Sequence, residues 1–220
     1  MSGIVDLHVW LPHADLVWVP ALITENEGGV TTYELQDKST VQISNHVTDP
    51  SKLDKVTPSS LSTNIDNLTN LDEFGEGAVI HQLRQRYTLD TIYTNIGTIL
   101  VSINPYKTLP IYSPTLISEY QADYTNKPPH VFGIAAEAYK RLLEETQNQA
   151  VIISGESGAG KTEATKTVLM YLSEVAGSDT GVEQEILQSN PVLEAFGNSK
   201  TLRNNNSSRF GKWVRFNGTK

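Results

Sequence analysis

The 220-residue sequence contains no cysteine, which removes disulfide frameworks, thiolate metal sites and cysteine nucleophiles and fits a reducing compartment. It also lacks any long apolar run. Stretches such as 150–153 fall far short of the roughly 20 residues needed to cross a bilayer, so no direct membrane insertion is expected. A basic surplus is missing too: 17 Lys and Arg stand against 25 Asp and Glu, a net charge of −8. That balance opposes nonspecific attraction to nucleic acid or an anionic membrane, and no nucleic-acid partner is expected. Near the N-terminus Asp6, His8, Trp10, Pro12 and Asp15 stand where a secretory signal needs a basic start and an unbroken apolar core. The histidines His8, His13, His46, His81 and His130 have no metal-ligand spacing and read as surface or core residues. Glu144, Glu145, Glu183 and Glu185 read as solvated helix faces, with no pair set up for general acid and base work.

What is present is a globular composition, 38% apolar and 19% charged, long enough for one large α/β domain with or without a small appendage. Residues 1–48 read as a small β unit. Leu16 to Val19, Thr31 to Leu35 and Thr40 to Val47 are strand-like runs broken by Gly28-Gly29 and other turn residues. Residues 49–72, rich in Ser, Thr, Asn, Asp, Lys and Pro, read as a connector. Residues 73–220 carry the main part. Val79, Ile80, Leu83 and Tyr87 recur at helical spacing, 98–103 is β-rich, and Phe132, Ala135, Ala136, Tyr139, Leu142 and Leu143 share one helical face. The run 150–154 predicts a strand buried on both sides. A helix follows through Val168, Leu169, Leu172 and Val175 and ends at Gly177-Ser178. The span 182–196 is helical in period, with Pro191 expected to kink or break it. Trp213 to Phe216 predicts a terminal strand.

Between the run 150–154 and the next helix lies Gly155-Glu156-Ser157-Gly158-Ala159-Gly160-Lys161-Thr162, followed by Glu163. It fits G-x-x-x-x-G-K-[ST] in the strand, loop, helix context the mechanism needs. Gly155, Gly158 and Gly160 let the backbone curl so that successive N–H groups face phosphate oxygens, and the helix adds its positive end. Lys161 reaches the β and γ phosphates, and the Thr162 hydroxyl completes a magnesium shell. Downstream, Asn204-Asn205-Asn206-Ser207-Ser208-Arg209-Phe210-Gly211-Lys212 offers amides, hydroxyls and a fixed positive charge. Such groups suit a γ-phosphate sensor, although a solvated Asn/Ser turn before an edge strand accounts for the same residues.

Together the two loops resemble the myosin motor head, in which GESGAGKT is followed by a switch loop of the form NNNSSRFGK. A third stretch, Asn104-Pro105-Tyr106-Lys107-Thr108-Leu109-Pro110-Ile111-Tyr112, looks like that family's purine-binding loop, and 95–101 is similar to the run before it. The stretches 68–87 and 190–198 also look like the family, so the likeness covers roughly 61–216. Val17-Trp18-Val19-Pro20 is similar to the small barrel preceding many myosin motor cores. The resemblance implies a P-loop NTPase fold, α/β with a mixed central sheet flanked by helices, preceded by a barrel-like β unit, with the sheet incomplete in this stretch. It implies ATP and Mg2+ as ligands, with Asn104, Pro105, Tyr106, Lys107 and Tyr112 on the adenine side and Lys161 on the phosphates. Thr162 and Ser208 would hold the metal, Asn204 a phosphate, and Ser207 would sit near the lytic water. Arg209 would pair with a glutamate of a second switch loop.

No acidic residue after the phosphate loop ends an apolar strand, so the second switch is absent and the chain is expected to stop early. Actin-binding surfaces and any light chains would then lie beyond Lys220, and the implied setting is cytoplasmic and cytoskeletal. These 220 residues alone are expected to fold poorly and to hydrolyse ATP negligibly. Two other readings stay open at this point: a non-motor P-loop ATPase or kinase, and a truncated nucleotide-binding fragment without motor activity.

Overall fold

The computed structural model describes residues 7–62, 65–145, 147–176 and 182–211. The chain forms two compact units that divide after Thr98. The predicted terminal strand 213–216 and the helix stop at Gly177-Ser178 lie outside the described residues.

The first unit opens with an antiparallel meander of β1 (Leu7–His13), β2 (Val17–Glu27), β3 (Val30–Leu35) and β4 (Thr40–Ser44), in sheet order β1-β2-β3-β4. The expected barrel is an open sheet among the described residues, with β1 and β4 at its edges. Strand β1 was not predicted, because Pro12 and two histidines mask its alternation. Its edge is covered by the following segment: Trp10 donates to the Asp54 carbonyl at 2.9 Å, and Val56 donates to that of His8 at 2.9 Å. The period of two along β1 sends side chains to two cores. Val9 and Leu11 join Ala21 and Tyr33 on one face, while Trp10 joins Leu68, Leu71 and Ala78 on the other.

Ala78 belongs to α1 (Glu76–Thr88). The spacing of Val79, Ile80, Leu83 and Tyr87 predicts this helix, and Val79 and Leu83 pack half-buried against the Trp10 core, while the fully buried positions are Gly77, Ala78, His81, Gln82 and Arg86. Paired polar groups make this possible. Gln82 donates to the carbonyls of Ser60 and Ser62 at 2.7 and 2.6 Å, and Arg86 donates to the Thr94 hydroxyl and the Tyr93 carbonyl, each at 2.8 Å. Buried N–H donors satisfied in this way lose little by leaving water. Gly77 is required by contact: a Cβ there would stand 2.5 Å from Cγ of Trp10. Strand β5 (Tyr93–Ile96) closes the unit.

The second unit contains β6 (Ile99–Ser102), α2 (Pro114–Ala122), α3 (Val131–Glu144), α4 (Lys161–Ala176), α5 (Val182–Gly197), β7 (Asn198–Ser199) and β8 (Ser207–Ser208). Its core is an aromatic cluster. Phe132 of α3 packs on Tyr171 of α4 at 5.4 Å between ring centroids, with Tyr112, Tyr120 and His130 around it. His130 caps α3 through Nδ1, which accepts from the Phe132 N–H at 3.0 Å. Two expectations are corrected here. Residues 150–154 form no strand, and Ile152 is 89% exposed; a strand needs hydrogen-bonded neighbours, and among the described residues none lies alongside. Pro191 does not break α5, which continues to Gly197, since proline removes one hydrogen bond but leaves a helical φ available; of the expected kink or break, the break is what falls.

Candidate functional site

The phosphate loop curls as its glycines predict. Gly158 and Gly160 take φ of 84° and 97°, values that only glycine adopts at little cost. The conformation leaves the N–H groups of Gly158, Gly160, Lys161 and Thr162 without a hydrogen-bond partner among the described residues. Two of these residues open α4, so the free donors coincide with the positive end of a helix. The Lys161 ammonium folds back over the loop and donates to the carbonyls of Gly155 and Glu156, each at 2.8 Å.

The loop 200–208 reaches this site because β7 and β8 pair antiparallel, Asn198 with Ser208 and Ser199 with Ser207. The Asn198 amide adds a 2.9 Å bond to Asn206 Oδ1. Between the strands, Thr201 donates its N–H to the Asn204 carbonyl at 2.8 Å, and Asn204 Oδ1 accepts from the Asn206 N–H at 2.9 Å. Three hydroxyl contacts join this loop to the phosphate loop. Ser157 Oγ lies 3.0 Å from Thr201 Oγ1 and 3.2 Å from Ser207 Oγ, and Thr162 Oγ1 lies 3.1 Å from Ser208 Oγ. Glu156 and Arg203 form an ion pair across the same seam.

A third element joins from 104–106. The Asn104 amide donates to the Gly158 carbonyl at 2.7 Å, and its Oδ1 accepts from the Tyr106 N–H at 2.9 Å. The result is a cavity of about 330 Å³, lined from these three loops and from α5. Of the residues singled out in the sequence, Asn104, Tyr106, Ser157, Gly158, Gly160, Lys161, Thr162, Glu163, Asn204, Ser207 and Ser208 line it. Gly155, Glu156, Ala159, Pro105, Lys107 and Arg209 do not, and Tyr112 sits against His130 and Phe132. Asn206, one of the amides of the second loop, lines it too, as do Glu194, Asn198 and Arg203, to which the sequence pattern assigns no role. Glu194 is held there by Lys166, whose ammonium lies 3.2 Å from Glu194 and 3.0 Å from Glu163.

This constellation can hold a polyphosphate. It offers unpaired backbone donors, a lysine and amides on the anion side. It also offers two hydroxyls whose 3.1 Å separation matches the roughly 3 Å edge between adjacent ligands of an octahedral magnesium ion. A family model for the myosin head (motor domain) matches residues 65–219. The chain belongs to the myosin head family.

Relatives agree over nearly the whole sequence. The chain is 46% identical over 213 residues to a high molecular weight form of myosin-1 from Acanthamoeba castellanii, an alignment covering 92% of this chain and 13% of that protein. It is 42% identical over 220 residues to myosin-11 of Arabidopsis thaliana, covering 96% and 14%. With myosin type-2 heavy chain 2 of Schizosaccharomyces pombe it is 42% identical over 212 residues, covering 94% and 10%. The chain thus spans about an eighth of the length of these myosins. The myosin head match begins within the first compact unit and includes all three loops of the cavity.

Proposed function

We propose that this chain binds ATP as its magnesium complex and is part of an ATP-driven motor that moves on actin filaments. The observation that carries the reading is the meeting of the Thr162 and Ser208 hydroxyls at 3.1 Å from positions 46 residues apart. Magnesium held there supplies positive charge to the β and γ phosphates. Free N–H groups at Gly158, Gly160, Lys161 and Thr162 receive phosphate oxygens, and Lys161 exchanges its two carbonyl acceptors for the γ-phosphate side. Asn204 Nδ2 has no partner among the described residues and adds a donor from the second loop.

Hydrolysis in this reading is in-line attack by water, with Ser207 beside the water and Ser157 holding Ser207 in place at 3.2 Å. The Arg209 side chain forms no ion pair among the described residues, and we assign it to a carboxylate of the second switch. Asn104, Pro105, Tyr106, Lys107 and Tyr112 serve the adenine side. The fold that fits this chemistry is a P-loop NTPase, divided as β unit 1–48, connector 49–72 and motor portion 73–220. In this reading the partner is the actin filament and the setting is the cytoskeleton.

Steady-state phosphate release by the full-length protein tests the proposal. Actin should stimulate magnesium-dependent turnover severalfold, and Lys161→Ala should abolish it. Turnover that ignores actin would remove the motor reading, and turnover indifferent to Lys161 would remove the site.

A further inference from the structure

Arg203 lines the cavity, while the carboxylate it pairs with, that of Glu156, lies outside the lining. The two side chains are 68% and 77% exposed, and an ion pair in that setting adds little to stability. The other carboxylates of the cavity, Glu163 and Glu194, are both taken up by Lys166. Arg203 therefore has one acidic partner among the described residues, and that partner can swing into solvent. The Arg203 carbonyl lies close to the phosphate loop, 3.2 Å from the position a Cβ would take on Gly158, so the side chain can reach the cavity from where the backbone already stands. A guanidinium fork binds phosphate more strongly than an exposed carboxylate, through two parallel charge-assisted bonds.

We propose that Arg203 is a phosphate-binding residue held in reserve by Glu156, and that the triphosphate of the ligand displaces the Glu156 carboxylate. This rests on the magnesium–ATP reading of the cavity. Glu156 acts as a built-in competitor, so the two substitutions have opposite signs. An electrostatic latch between the loops would give both the same sign.

The experiment is equilibrium binding of a fluorescent ATP analogue, with magnesium, to the full-length protein at low ionic strength. Glu156→Gln should bind about two- to fivefold tighter. Arg203→Gln should bind about tenfold weaker, and the double variant should match Arg203→Gln. Changes of the same sign in the two single variants, or wild-type affinity in Arg203→Gln while Lys161→Ala loses binding, would refute the assignment and leave the site intact. A wild-type protein that binds no ATP would refute both. Neither substitution touches the buried core, since both side chains are mostly exposed.

Discussion

Thr162 and Ser208 place their hydroxyl oxygens 3.1 Å apart, one at the start of α4 and the other on β8. Each hydroxyl satisfies the other in this arrangement, and each has lone pairs to give to a cation. Thr162→Ala and Ser208→Ala should therefore weaken magnesium-dependent ATP binding by about tenfold or more, the effect of losing one ligand and leaving a polar group unpaired. ATP binding measured with a metal chelator should change far less, and Thr162→Ser should retain wild-type behaviour. Equal losses with and without magnesium would show that the two hydroxyls serve the seam between the loops and not a metal.

In the first unit, Gly77 lies against the indole of Trp10, which is 1% exposed. A Cβ at that position would fall 2.5 to 2.7 Å from three side-chain atoms of Trp10, two of them in the indole, closer than packed atoms tolerate. Gly77→Ala gains helix propensity of roughly 1 kcal/mol but forces the ring or the helix to move, a cost of about 1–3 kcal/mol. The expected net result is a lower melting temperature with a changed tryptophan near-UV signal. A more stable Gly77→Ala variant would mean that α1 slides without loss.

The phosphate loop was legible from sequence because its requirements are local: glycines for left-handed backbone, then lysine and threonine at the start of a helix. The loop at 104–112 was picked out by resemblance alone, whereas 204–212 drew notice through its amides, hydroxyls and arginine, although a solvated turn accounts for the same residues. Glu194, Asn198 and Arg203 were not legible. Their places in the cavity follow from β7–β8 pairing and from α5, both long-range outcomes. The helical spacing of α1 marks Val79 and Leu83, which pack on the Trp10 core, but not Gln82 and Arg86, which are buried by virtue of partners such as Ser60 and Thr94 that no helical period reveals. Residues 150–154 have strand composition, but composition cannot supply the neighbours that make a strand.

His130 sits at the head of α3 in the aromatic cluster and is 7% exposed. Burial pushes its imidazole down from the ordinary 6.5 to about 4. Above pH 6.5 the ring is neutral folded or unfolded, and it neither adds nor removes stability. Between pH 6.5 and 4 the unfolded chain takes up a proton that the folded chain refuses, so stability falls as the pH falls and levels off below 4. The loss should approach about 3 kcal/mol. Urea unfolding at pH 7 and pH 5 measures it. His130→Asn keeps a capping acceptor for the Phe132 N–H and should flatten the slope within that window. An unchanged slope would place the proton on another group.

Gly158 and Gly160 both hold positive φ, but they differ in what surrounds them. A Cβ on Gly160 meets nothing within 4 Å, whereas one on Gly158 meets the Arg203 carbonyl at 3.2 Å. Alanine at either position strains the backbone by about 1–3 kcal/mol, and both variants should bind phosphate more weakly. Only Gly158→Ala also presses on the second loop, against the hydroxyl contacts of Ser157 with Thr201 and Ser207. That loop contains Arg203, a trypsin site. Limited trypsin digestion should therefore cut after Arg203 several times faster in Gly158→Ala than in Gly160→Ala, at equal global stability. Equal cutting rates would show that the closeness of Gly158 to Arg203 does not hold the second loop on the site.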